Sequence, residues 1–114
     1  MPSYAIAQLR DITLNDEIVA YLEAIDATLA PFGGRFLIHG GPLTRVEGEW
    51  PKGDLILIAF PDRAALDGWY NSPAYRNILP LRTANSKGEV ILVDGVKEPH
   101  RAVDVLQTGD RHVQ

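Results

Sequence analysis

The stretch GGRFLIHGG, residues 33–41, places a guanidinium at Arg35 and an imidazole at His39 within a short apolar run between glycine pairs. It reads as a buried strand, and side chains alternate along a strand. Arg35, Leu37 and His39 are therefore expected on one face, with Phe36 and Ile38 on the other. Arginine supplies a permanent positive charge, and histidine exchanges protons near neutral pH. Side by side, they suit an anion or an enolate-like ligand, with Arg35 as clamp and His39 as donor or proton carrier. A structural alternative pairs Arg35 with Glu47 or Glu49 at a subunit seam and leaves His39 satisfied near the strand end. One compensation or the other is needed, because a charge left unpaired inside a protein costs several kcal/mol.

A second group of candidates lies in WYNSPAYRNILPLR, residues 69–82. Helical spacing places Trp69 with Ala65 and Leu66 on an inward stripe, while Tyr70, one residue round, offers its hydroxyl to a pocket or to solvent. Ser72 followed by Pro73 is a helix start, since serine caps and proline is preorganised for the first helical position. Tyr75, Ile78, Leu79 and Arg82 then share one side. That arrangement aims the Arg82 guanidinium at half-buried surface, for an ion pair or for an anion. Trp50, in a loop rich in glycine and proline, suits a lid or an interface plug. The polar set for a small-molecule site is thus Arg35, His39, Tyr70, Tyr75 and Arg82, with Trp50 and Trp69 as aromatic lining.

Composition narrows the chemistry. The chain has no cysteine, so disulfides, thiolate nucleophiles and cysteine-containing zinc sites are excluded. His39, His100 and His112 form no helical i, i+4 pair with an acidic partner, and no dedicated metal site is expected. No nucleophile elbow, phosphate loop or dinucleotide fingerprint is present, so no cofactor is expected. A formal net charge of −4 disfavours a nucleic-acid partner, and the run DLILIAF lacks the strand aromatics on which bases stack. No stretch reaches the length of a membrane span, and the N-terminal MPSYAIAQLRD lacks the features of a secretory signal, which points to the cytoplasm.

These residues must be positioned by a domain that 114 residues suffice to build. Tyr4 to Leu9 suits a first strand. From Asp16 to Ala30, Ile18, Leu22, Ile25 and Leu29 recur at helical steps behind a cap at Thr13 or Asn15, until Pro31, Gly33 and Gly34 stop the helix. After GGRFLIHGG and an irregular connection, Leu55 to Phe60 reads as a central strand covered on both sides. Asp62 caps a second helix, and Pro80 is expected to kink or split the one after Ser72. Val90 to Val93 closes the series. The order is strand, helix, strand, strand, helix, strand. It predicts an α+β, ferredoxin-like βαββαβ fold, with two main helices on one face of a four-stranded antiparallel sheet. Residues 1–96 form that domain, and 97–114 form a polar tail suited to a loose arm or a strand reaching a partner subunit.

GGRFLIHGG at 33–41, EGEWP at 47–51 and WYNSPAYRNILPLR at 69–82 together resemble the domain of unknown function 1330 family (DUF1330), within the dimeric α/β-barrel superfamily. The resemblance spans roughly residues 3 to 96. It implies a ferredoxin-like protomer whose sheet packs on that of a second copy, and it implies no established activity. Related superfamily folds include cofactor-free monooxygenases, lactone isomerases, haem-degrading enzymes and plain binders, so fold alone does not select a reaction. Two positions depart from the family pattern: His39 stands where arginine is more usual, and Ala74 where glutamate is frequent. Two readings of function follow. One is a homodimer that binds a small anionic or carbonyl-containing metabolite, and as an enzyme would transfer a proton without a cofactor. The other is a non-catalytic dimeric structural or ligand-sensing module.

Overall fold

In the computed structural model, which describes residues 1–107, the first strand β1 (Ser3–Arg10) buries Ser3, Ala5 and Leu9 at alternate positions. Helix α1 (Asp16–Leu29) follows, capped by Asn15, whose Oδ1 accepts a bond from the Ile18 N–H at 3.0 Å. Asp16 and Glu17 in its first turn complement the positive end of the helix. Its buried stripe is Ile18, Tyr21, Ile25 and Leu29. Tyr21 thus takes the core position expected of Leu22, which is 45% exposed. One 3-10 turn, Ala30–Phe32, then hands over to Gly33 at φ 69°.

The second strand, β2 (Arg35–His39), pairs with β3 (Asp54–Phe60), and β3 pairs with β1. Asp62 caps α2 (Arg63–Tyr70) through a 2.8 Å bond from the Ala65 N–H. Ser72 caps α3 (Pro73–Thr83), accepting from the Tyr75 N–H while its hydroxyl donates to the Trp69 carbonyl. Helix α3 runs unbroken through Pro80. The expected split is absent because Pro80 and Arg76, the residue whose carbonyl loses its partner, both face solvent, where water can satisfy that oxygen. Strand β4 (Lys87–Asp94) completes an antiparallel sheet of order β2-β3-β1-β4, with the helices on one face. This is the expected α+β plan. Beyond it lie an exposed His100 and a short 3-10 helix, Ala102–Gln107. His112 and the end of the tail, 108–114, lie outside the described residues.

Register fixes which side chains share a face. Toward the helices run the rows Phe36–Ile58–Ala5–Leu92 and His39–Ile56–Ala7–Val90. On the open face run Arg35–Ala59–Tyr4–Val93 and Ile38–Leu57–Ile6–Ile91. A bulge between Phe36 and Ile38 interrupts the alternation in β2, and that one extra residue turns His39 to the face opposite Arg35. The expected face-sharing of the two groups is therefore corrected. So is the burial of this strand: β2 lies at the sheet edge, and of its five residues only Phe36 is not exposed.

The core fills the space between helices and sheet with Leu66, Phe60, Trp69, Tyr75, Leu29, Ile25 and Ile58. Trp69 is fixed by a bond from its indole N–H to Thr28 Oγ1 at 2.9 Å, and Thr28 Oγ1 in turn donates to the Ile25 carbonyl. No helix among the described residues is long and apolar enough to cross a membrane.

Candidate functional site

Between the sheet and the helices lies a cavity of about 330 Å³. Its sheet wall is built by Ala5, Ala7, Ile56, Ile58 and Val90 together with the ring pair Phe36 and His39, which stack with centroids 4.4 Å apart at 11°. The helical wall carries Ile18, Tyr21 and Ile25 of α1, Trp69 and Tyr70 at the end of α2, and Tyr75 and Arg82 of α3. The small residues Ala5 and Ala7 leave the gap, since neither fills the space beneath α1 as a larger side chain would. One end of the cavity is marked by Leu9, opposite Asp54 in the sheet, and by Ile12 and Leu14 of the β1–α1 connection, which are 40% and 79% exposed.

The polar centre is on the helical wall. The Tyr21 and Tyr75 hydroxyls lie 2.8 Å apart, and their rings meet edge to face. Capping of α3 by Ser72 sets the position of Tyr75, which is 2% exposed. Two turns further along α3, the Arg82 guanidinium comes over the Tyr21 ring, 5.9 Å from its centroid. Burial pushes the Tyr21 phenol well above the ordinary phenol range, and its contact with Tyr75 adds to that, outweighing the opposite pull of Arg82. Burial opposes the charge on Arg82, yet the neighbouring Tyr75 and Tyr21 more than offset it and hold the guanidinium more firmly protonated. Among the described residues Arg82 forms no ion pair, whereas Arg10 and Arg63 at the surface do.

This site has a surplus of donors. Two hydroxyl protons belong to the tyrosine pair, one is used in the mutual contact, and the other has no acceptor among the described residues. The guanidinium adds further N–H groups, and the other polar side chains of the lining are Tyr70, His39, Asp54 and Ser86. A group bound here is therefore asked for lone pairs.

Of the residues singled out from sequence, His39, Trp69, Tyr70, Tyr75 and Arg82 line the same cavity. Tyr70 is held between Tyr75, at 5.6 Å between ring centroids, and the Arg76 guanidinium, 4.8 Å over its ring. Arg35 does not reach the cavity; it is exposed on the open face, and needs neither Glu47, Glu49 nor a ligand to compensate a burial it does not have. Trp50, 55% exposed in the loop between β2 and β3, also stands apart from the cavity. Tyr21 is the residue that sequence reasoning passed over. Its signal was available in its steps of three from Ile18 and four to Ile25. Among the described residues no three potential metal ligands cluster.

The chain belongs to the family described as domain of unknown function DUF1330, whose model matches residues 2–96. No curated protein matches it. Among solved structures it is similar to the RPA0582 protein of unknown function from Rhodopseudomonas palustris, at TM-score 0.63 and 18% identity over 84% of this chain and 83% of that one. A dimeric ferredoxin-like protein of unknown function from Jannaschia sp. CCS1 aligns at TM-score 0.60 and 18% identity, over 83% of this chain and 100% of that one. SnoaB, a cofactor-independent oxygenase from Streptomyces nogalater, aligns at TM-score 0.55 and 18% identity, over 87% and 98% respectively. At these identities the likeness establishes the ferredoxin-like fold.

Proposed function

We propose that this protein is a homodimer that binds a small anionic or carbonyl-containing metabolite in the cavity between sheet and helices, and transfers a proton on it without a cofactor. The observation that carries the reading is Arg82, a half-buried guanidinium facing a mostly apolar cavity beside the Tyr21–Tyr75 pair, which forms no ion pair among the described residues although Asp54 also lines the cavity. An oxyanion, or a carbonyl oxygen gaining charge as it enolises, supplies the missing partner. His39, on the opposite wall, is the proton carrier. Arg82 takes the clamping role that the sequence gave to Arg35, and Arg35 is left to the contact between subunits. The likeness to SnoaB, a cofactor-independent oxygenase, and to a dimeric ferredoxin-like protein is in keeping with this reading.

Calorimetric titration with benzoate tests the binding half. Arg82→Gln is expected to weaken binding about 10- to 100-fold, the range for losing a charge-assisted hydrogen bond; Tyr75→Phe weakens it several-fold and Arg35→Ala leaves it unchanged. Equal affinity in wild type and both cavity variants would remove the site. For the proton-transfer half, deuterium exchange at the carbon next to the carbonyl of 2-tetralone is expected with wild type, and about 100-fold slower or worse with His39→Ala.

A further inference from the structure

We infer that the ligand of this cavity is a planar aromatic oxyanion of one or two rings, an aryl carboxylate or phenolate, bound against aromatic side chains of both the sheet wall and the helical wall. The inference rests on the anion site proposed above and adds the class of body that carries the anion.

Three observations lead to it. First, both walls carry aromatic rings. On the sheet side, Phe36 and His39 stack face to face, nearly parallel and 4.4 Å apart, within the cavity lining. The bulge in β2 is what brings this pair together, since without it His39 would face away from Phe36. On the helical side Trp69, Tyr70 and Tyr75 form a continuous cluster, with Trp69 and Tyr75 4.2 Å apart and Trp69 and Tyr70 5.9 Å apart. Aromatic rings prefer other rings in offset or edge-on arrangements, so a flat π-system gains from both walls where an aliphatic body of equal size gains only burial.

Second, the volume of about 330 Å³ lies near the lower end of ordinary ligand sites, roughly 300–1,000 Å³, which limits the body to a small ring system. Third, most of the lining is apolar, and its one permanent cation, Arg82, stands beside the Tyr21–Tyr75 pair on the helical wall, with His39 on the sheet wall and Asp54 at one end. A molecule with one acidic group on an apolar plate satisfies such a lining. A sugar or a polyhydroxylated acid would set many of its hydroxyls against the apolar majority of the lining.

The experiment is a three-way titration of the full chain with 2-naphthoate, its saturated counterpart decahydronaphthalene-2-carboxylate, and the neutral 2-naphthamide, followed by calorimetry and by ring-current shifts of the Ile25 and Ile58 methyl resonances. Naphthoate is expected to bind at least tenfold more tightly than either analogue and to move those methyl resonances. Phe36→Leu should erase the preference over the saturated acid, and Arg82→Gln the preference over the amide. Equal affinity for the flat and saturated acids would overturn the aromatic assignment while leaving the anion site standing. Equal affinity for acid and amide would overturn the anion site and this inference with it, and no binding of any of the three at millimolar concentration would overturn both.

Discussion

Tyr21 shows how much a single buried hydroxyl decides. With its partner Tyr75 it sits in the core, where a phenolate would lose its water, so the folded chain holds its proton far more tightly than an unfolded one does. The sign follows from proton linkage. Below the ordinary phenol value of 10.0 both states keep the proton and the group contributes no slope. Above it the unfolded chain releases the proton and the folded one does not, so stability falls as pH rises from there. We predict that Tyr21→Phe moves the alkaline unfolding limb to higher pH, read by circular dichroism, while wild type shows one tyrosine that ionises only as the fold is lost. An alkaline limb unmoved by the substitution would show that Tyr21 ionises freely in the fold. The same residue marks what was legible at this scale. The spacing of α1 places position 21 on the stripe of Ile18 and Ile25, but a count of aliphatic residues alone prefers Leu22. Nothing local in the sequence says that Tyr75, 54 residues away, will meet it.

At the level of elements, the caps were readable because each depends on a handful of adjacent residues. Asn15, Asp62 and Ser72 each accept a bond from a backbone N–H three residues on, as their side chains and positions dictate. Ser72→Ala is expected to cost about 1 kcal/mol of stability by urea denaturation. It should weaken ligand binding more than that loss alone implies, because the same cap sets Tyr75; unaltered affinity would separate the cap from the site. Bulge and edge were not readable, and they misplaced Arg35. Alternation is a good rule for an unbroken strand, and the extra residue between Phe36 and Ile38 only exists relative to β3. Burial of an apolar run likewise depends on its place in the sheet order, and the apolar Phe36, Leu37 and Ile38 lie in a strand at the edge. Gly88 illustrates the same long-range dependence with a sharper consequence. A Cβ there would meet the Gln8 carbonyl oxygen of β1 and come within 2.9 Å of Leu9 Cδ2. Gly88→Ala should therefore destabilise the chain by about 1–3 kcal/mol, the usual cost of overpacking, seen as a lowered urea midpoint. A midpoint equal to wild type would show that β4 can draw away from β1 without penalty.

For the molecule as a whole, the open face of the sheet raises the question of what covers it. Ile6, Leu57, Ile38 and Ile91 form a continuous apolar row across all four strands, with Ile91 56% and Ile38 38% exposed. Tyr4 and Val93 lie in the adjacent row beside Arg35, and the Arg10–Glu89 pair stands further along the same face at 2.9 Å. Apolar surface gathered on one side of a sheet and rimmed by charges is the pattern of an interface rather than of scattered exposed residues. A second copy can meet it, because the apolar rows are framed by charges of both signs, Arg10 and Arg35 with Glu89. We predict that the wild-type chain sediments as a dimer at micromolar concentration. Ile91→Asp puts a charge in the row and should give a monomer with an unchanged far-UV spectrum, because that side chain is 56% exposed on the face away from the helices. The cavity lies on the other face of the sheet, so the monomeric variant should retain benzoate binding within a few-fold. A wild-type chain that stays monomeric would leave the apolar row without an occupant. A dimeric variant would place the contact elsewhere, and loss of binding on dissociation would mean that the partner completes the site through the sheet rather than merely covering it.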